Sequence, residues 1–336
     1  MPEKHAVHPK PNLHDAFKAH QRIQSMVWET PLRDCPDLAD LCGAASVHLK
    51  LECLQHTGAF KVRGAANKIL GLSGEERKKG VATFSTGNHG KAVAYVAGRS
   101  GIPAVVCLSE HVPVYRAEMI RALGAELSVK GRSQDEAEAN YHRIVAERGL
   151  VPVVPFDDPA IIAGQGTIAL EILKALPDTD TLLVPLSGGG LLAGIAMVAK
   201  SINPRIEVVG ISLEQSPAMV KSLAAGSPVQ VEEKETIADS LLGGIGQENH
   251  FTLPLVKRFV DRHLVIAEEP IKEAMTHLFR EHRLVVEGAA AVGVGALMRH
   301  MLDVSGRRVV GVLTGSTIDS EVYLRILQER INAPRT

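Results

Sequence analysis

Lys61 is framed by residues that suit a reactive amine. It lies in Thr57-Gly58-Ala59-Phe60-Lys61-Val62-Arg63-Gly64, between an alternating run at 47–51 that reads as a strand and an Ala-rich run at 65–70 that reads as a helix. Strand-to-helix connections are where α/β folds place chemistry, and Gly58 and Gly64 allow tight backbone geometry on either side. An amine there is either a solvated surface charge or a nucleophile that forms a Schiff base with a carbonyl cofactor. Two other connections have the composition of anion sites. In Ser187-Gly188-Gly189-Gly190-Leu191 the glycines let backbone N–H groups and a helix N-terminus converge on a phosphate, unless the run is only a tight turn. In Ser85-Thr86-Gly87-Asn88-His89-Gly90 the N–H groups suit a carboxylate, and Asn88 also suits a helix N-cap. His89 reads as a first-turn packing residue and is assigned no proton. A rival reading takes Gly188-x-Gly190-x-x-Ala193 as a dinucleotide fingerprint. It wants an acid at the end of the next strand, where Glu214 fits only approximately, and it leaves Lys61 without a role.

The elements that must position these residues alternate. Periodicity predicts helices at 14–26, 65–70, 89–99, 113–123, 134–147, 160–176, 191–202, 216–225, 270–283, 288–301 and 320–331. Strands are predicted at 47–51, 81–85, 104–108, 126–129, 151–154, 182–186, 206–211, 264–267 and 308–313. Strands alternating with helices imply parallel sheets with right-handed crossovers, and the nearly all-apolar strand at 182–186 implies a sheet buried on both faces. Residues 72–76 read as a polar break, and 226–245 as a charged loop region.

Composition narrows the function classes. The chain has 336 residues, 45% hydrophobic but only 4% aromatic, enough for one or two domains with a real core. A net charge of -1 gives no electrostatic footprint for nucleic acid. No apolar run reaches membrane-spanning length, and the polar, His-rich residues 1–21 lack a signal-peptide apolar region. Cys35, Cys42, Cys53 and Cys107 form no Cys-x-x-Cys pair, so neither a disulfide framework nor a cysteine zinc site is expected, and cytoplasmic residence is. The fourteen histidines are scattered without a convincing His-x-x-x-His helix, and no histidine metal site is expected.

The order of the motifs resembles the pyridoxal-phosphate (PLP) enzymes related to threonine dehydratase and serine racemase. The Lys61 segment is similar to that family's Ser-Phe-Lys-x-Arg-Gly, with Ala59 in place of serine. The two glycine-containing loops follow in the family's order. So do Asp158-Pro159-Ala160-Ile161-Ile162-Ala163-Gly164-Gln165-Gly166-Thr167 and Thr314-Gly315-Ser316-Thr317-Ile318-Asp319. The resemblance runs from about 28 to about 327. It implies PLP fold type II (tryptophan synthase β-like): two parallel-sheet α/β domains with the cofactor in the cleft. The large cofactor-binding domain would be 1–79 and 157–336, and the small domain 80–156.

By the same resemblance, Lys61 holds the cofactor and removes the substrate Cα proton, Phe60 contacts the cofactor, the Asn88 side chain contacts its 3-oxygen, and Ser187, Gly188, Gly189, Gly190 and Leu191 take the phosphate. Ser85, Thr86, Gly87, Asn88 and His89 take the substrate carboxylate. Thr314 faces the ring nitrogen with a hydroxyl, which favours elimination over long-lived carbanions, and Glu287 lies near the ring. Gly288 replaces the family's usual proline, and Thr317 its frequent asparagine. Ser212, Ala218 and Met219 stand where the racemase branch binds a divalent cation, with Glu214 out of register, so no metal is expected.

The implied reaction is α,β-elimination of a β-hydroxy amino acid to a keto acid and ammonia. Racemase and β-replacement enzymes share the same motifs. Thr86 supplies a hydroxyl where the racemase branch donates a proton, but its β-branched side chain is stiff, so weak racemisation is expected. The segment 238–246, Ala-Asp-Ser-Leu-Leu-Gly-Gly-Ile-Gly, resembles the dehydratase branch of hydroxyectoine breakdown and hydroxyaspartate use. A homodimer or homotetramer is implied. The motifs finish at Asp319 with one helix after them, so no isoleucine-sensing domain is expected.

Overall fold

The structure is a computed structural model and describes residues 9–331 other than Thr86. Ten strands form two sheets: β1 (Leu32–Asp34), β2 (Ser46–Lys50), β3 (Val81–Phe84), β4 (Ala104–Leu108), β5 (Glu126–Val129), β6 (Val151–Pro152), β7 (Thr181–Pro185), β8 (Glu207–Leu213), β9 (Arg262–Ile266) and β10 (Arg308–Val312). The larger sheet has the order β1-β2-β10-β7-β8-β9 and the smaller β5-β4-β3-β6. Every pairing is parallel except that of β1 with β2, which is antiparallel at the edge. At three residues, Leu32–Asp34 is too short to show an alternating pattern in the sequence.

Alternation along the larger sheet sorts its side chains between two cores. Leu183, Val209, Ile211 and Val309 pack under the helices Glu268–His282 and Gly288–Met298. Leu182, Val184, Val208 and Val310 pack under Pro159–Ala175 and Gly190–Ile202. A parallel strand buried on both faces has to read as continuously apolar, and β7 is buried throughout.

The helix that follows β2 begins at Lys61 and runs to Leu70, four residues earlier than the sequence pattern suggests. Its first turn, Lys-Val-Arg-Gly, carries no apolar period, and packing overrides propensity there. A Cβ on Gly64 would lie 2.5 Å from Gln165 Nε2, and one on Gly164 would lie 2.7 Å from Arg63 O. These glycines let Lys61–Leu70 and Pro159–Ala175 touch backbone to backbone. The polar break at 72–76 contains the start of a short helix, Gly74–Lys79, closed by a Ser73/Glu76 capping box. Among the described residues no helix is long and apolar enough to cross a membrane.

Candidate active site

Parallel sheets leave crevices at the carboxyl ends of their strands. Here the connections after β2, β3, β7 and β10 converge on one cavity of about 1240 Å³. It is lined by Phe60, Lys61, Ser85, Gly87, Asn88, His89, Ser187, Gly188, Gly189, Gly190, Leu191, Glu287 and Thr314. Thr86 lies outside the described residues.

Two loops from opposite ends of the sequence are stitched together around the lysine. Phe60 N donates to Thr314 O (3.0 Å), Ser316 N donates to Gly58 O (2.9 Å), and Ala59 bridges Gly315. Gly58 has φ +74°, which a side chain rarely adopts. The lysine therefore starts its helix from a fixed point beside Thr314. Its Nζ donates to Pro155 O at 2.9 Å. Burial pulls the amine down to about 8, against an opposing effect of the Glu287 carboxylate.

Glu287 stands at the N-cap of Gly288–Met298. Burial pushes its carboxyl up to about 7, and Asn88 Nδ2 donates to both of its oxygens at 3.0 Å. A Cβ on Gly288 would lie 2.5 Å from Ile237 O, so the proline usual in the resembling enzymes has no room in this chain. Asn88 Oδ1 and Thr317 Oγ1 are buried without a partner among the described residues. His89 Nε2–H donates to Val153 O (2.9 Å) and its Nδ1 has no partner among the described residues. Burial, and then the Lys61 charge, drive that imidazole down to about 3, so it stays neutral.

Across the cavity the helix Gly190–Ile202 has no side-chain cap at its N-terminus. Its first N–H groups therefore have no intrahelical acceptor and point at the space an anion would fill. Gly189 has φ +88°. A Cβ on Gly188 would meet the Phe156 ring at 2.4 Å, and one on Gly189 would meet Met219 Cε at 2.7 Å. The glycines are thus required by packing behind the turn as well as by the open face in front of it.

Sequence reasoning missed three contributors. Asp157, beside the cavity-lining Phe156, accepts from the backbone N–H of His250, Phe251 and Thr252 and fixes the start of the helix Thr252–Phe259. Arg116, on the helix after β4, reaches Asp239 at 3.4 Å, and both line the cavity. Lys91 lies near enough to Glu287 to feel its charge, although burial lowers its amine. None carries a local signal, since each acts on residues distant in sequence. Glu214 is exposed at the end of β8 and belongs to no cluster of ligating side chains among the described residues.

A family model described as "Pyridoxal-phosphate dependent enzyme" matches residues 23–315. The chain is 42% identical to a putative threonine dehydratase of Sinorhizobium fredii, over 96% of this chain and 97% of the relative. It is 41% identical to an L-threonine ammonia-lyase of Thermotoga maritima, over 94% of this chain and 78% of the relative. Its fold superposes on that of maize serine racemase with a TM-score of 0.89 at 31% identity, covering 96% and 98% of the two chains.

Proposed function

The chain belongs to the family of pyridoxal-phosphate-dependent enzymes, and from that premise we propose how its cleft divides the labour. The protein is a PLP-dependent ammonia-lyase of fold type II, acting as a dehydratase. The cofactor, when bound, withdraws electrons from the substrate Cα. Lys61 would carry it through its amine. Ser187, Gly188, Gly189, Gly190 and Leu191 would receive its phosphate, Phe60 would contact the cofactor, Asn88 would contact its 3-oxygen, Thr314 would face the ring nitrogen, and Glu287 would lie near the ring. Ser85, Gly87, Asn88 and His89, with Thr86, would receive the substrate carboxylate.

Support comes from the cavity itself: an uncapped helix N-terminus opposite the lysine, and buried Asn88 Oδ1 and Thr317 Oγ1 without partners. The observation that carries the reading is the Lys61 amine, held against Pro155 O and lowered to about 8. A neutral amine can take the proton from the substrate Cα near physiological pH. Loss of that Cα proton together with the β-hydroxyl is net loss of water, and hydrolysis of the released enamine gives a keto acid and ammonia. Neutral His89 cannot act as the acid at that pH and serves as a donor that orients the loop.

The substrate class proposed is a β-hydroxy amino acid, either threonine- or serine-like or a hydroxylated amino acid from hydroxyectoine breakdown. Residues 239–247 line the cavity and bring Asp239 beside Arg116 at its wall, which supports a substrate with a polar distal end. The test is a keto-acid and ammonia assay of the PLP-loaded protein across L- and D-threonine, serine, 3-hydroxyaspartate and hydroxylated diamino acids. No keto acid from any of them would remove the reading. Racemisation is the second reading, favoured by the likeness to maize serine racemase. Chiral analysis of recovered serine separates the two, since inversion rivalling keto-acid formation makes the protein a racemase.

Residues 80–156 are proposed as a small domain, and 1–79 with 157–336 as the large one. This is supported by β3 to β6 forming a sheet of their own. A homodimer or homotetramer is proposed on the exposure of Trp28 and Leu54, and cytoplasmic residence on four buried free cysteines.

A further inference from the structure

We infer that Asp37, His277 and His282 form a binding site for a divalent transition-metal ion of the zinc class, separate from the cleft. Asp37 lies in the first turn of the helix Pro36–Cys42, and the two histidines lie toward the end of Glu268–His282. Asp37 Oδ2 is 2.9 Å from His277 Nε2 and 3.1 Å from His282 Nε2. The three ligand atoms all lie within 4.8 Å of one another. A tetrahedral ion with bonds of about 2.0–2.1 Å spaces its ligand atoms by about 3.3 Å, so the two oxygen–nitrogen spacings differ from that by only a few tenths of an ångström. Two imidazoles and one carboxylate select zinc, cobalt or nickel over magnesium or calcium, which prefer oxygen alone.

The surroundings of His282 support ligation. Its Nδ1 faces Cys35 Sγ at 3.8 Å, and the Cys35 thiol donates to Arg33 O at 3.6 Å. Arg33 Nη1 donates in turn to His282 O at 2.8 Å. With its own hydrogen engaged, the sulfur can accept the Nδ1–H, which leaves the Nε2 lone pair for the ion. Cys35 is buried on the Nδ1 side of the ring, away from the Nε2 that faces Asp37, so it backs the imidazole and is not itself a ligand. The His282 side chain is 5% exposed, whereas that of Asp37 is 39% exposed. The ion therefore enters from solvent, and water completes its coordination. None of the three residues lines the cleft. The site's role is to pin Pro36–Cys42 to Glu268–His282. No local motif marks it, because Asp37 and His277 lie 240 positions apart.

The alternative is a plain hydrogen-bonded trio in which both imidazoles donate to one carboxylate. PLP-loaded protein, stripped with EDTA and dialysed, is titrated with cobalt(II) chloride under visible spectroscopy and with zinc chloride by calorimetry. The site predicts one equivalent bound, d–d absorption bands from cobalt, proton release and a higher thermal midpoint with zinc. Asp37→Asn and His277→Ala should each weaken binding by about tenfold or more with lyase activity unchanged. His277 is half-buried at the helix surface, so its replacement should leave the fold intact. Absent cobalt bands and absent heat at one equivalent in the wild type would overturn the proposal. So would unaltered binding in the Asp37→Asn/His277→Ala double variant.

Discussion

Two groups of buried polar side chains meet on the first turn of the helix Lys61–Leu70, and the fold treats them in opposite ways. Behind the helix, Arg63 is fully buried and donates to Glu52, Glu171, Thr167 and Trp28 O. Lys50 completes the set, donating to Glu171 and Thr30 O at 2.6 Å each. Two cations face two carboxylates, and each side-chain charge has partners. Burial works against ionising Glu52, but Arg63 holds that carboxyl below its usual range. In front of the helix, Lys61, Glu287 and His89 are all pushed by burial toward their uncharged forms, and Asn88, His89 and Thr317 keep polar atoms with no partner. Saturated polar groups hold a scaffold. Unsaturated ones with displaced protonation await a ligand. The two sides are coupled mechanically, because the residue that anchors the helix is two positions from the one that does the chemistry.

Breaking each side should give different failures. Lys61→Ala should lower kcat by about a hundred- to ten-thousand-fold, the range for loss of a positioned acid–base group, and should abolish the Schiff-base absorbance. Its thermal midpoint should stay near that of the wild type, because the lost amine was already disfavoured as a cation. Arg63→Met should do the reverse. It leaves Glu52 and Glu171 buried with only Lys50 between them, a loss of about 3–5 kcal/mol readable as a lower urea midpoint. Retained stability in Arg63→Met would mean the network is not what holds the helix.

Glu287 sharpens the contrast through pH. Its folded pKa of about 7 lies above the ordinary value of 4.5, so the folded state binds more protons than the unfolded one between those values. The contribution of Glu287 to apoprotein stability should therefore be full below 4.5 and be lost as pH rises to about 7, by at most about 3 kcal/mol. Glu52, whose folded value is lowered, acts with the opposite sign and contributes stability that is lost in acid. Glu287→Gln should remove the falling limb in chemical-denaturation curves and leave the acid limb. The smallest effect belongs to Arg116, whose pairing with Asp239 is partly exposed. Arg116→Met should change stability by less than about 1 kcal/mol, with any consequence confined to KM.

The same contrast explains what could be read in the sequence. Lys61, the glycine turn before Gly190–Ile202 and the loop after β3 each sit where a strand hands over to a helix. That handover leaves a local pattern of apolar run, small residues and periodic run. The Arg63–Glu171 pair, the Gly64–Gly164 contact and the clamp of Asp157 on residues 250–252 leave none, because their partners lie about a hundred positions away. The glycine run was legible as an anion cradle, yet its packing against Phe156 and Met219 was not. Gly288 looked like a departure from a family pattern, and only the Ile237 carbonyl behind it explains the residue. The early start of the lysine helix was hidden for the same reason.

The central claim is that burial in the cleft lowers the Lys61 amine toward its neutral form for covalent chemistry with the cofactor. Apoprotein is mixed with pyridoxal phosphate across a pH series, reduced with borohydride, digested, and the labelled peptide identified by mass spectrometry. The label should fall on Lys61. The rate of labelling should rise about tenfold per pH unit below the lysine's value and level off above about 8, where the amine is already free. Label on Lys91 or another lysine, or a rate still climbing as for an ordinary surface lysine, would contradict the account.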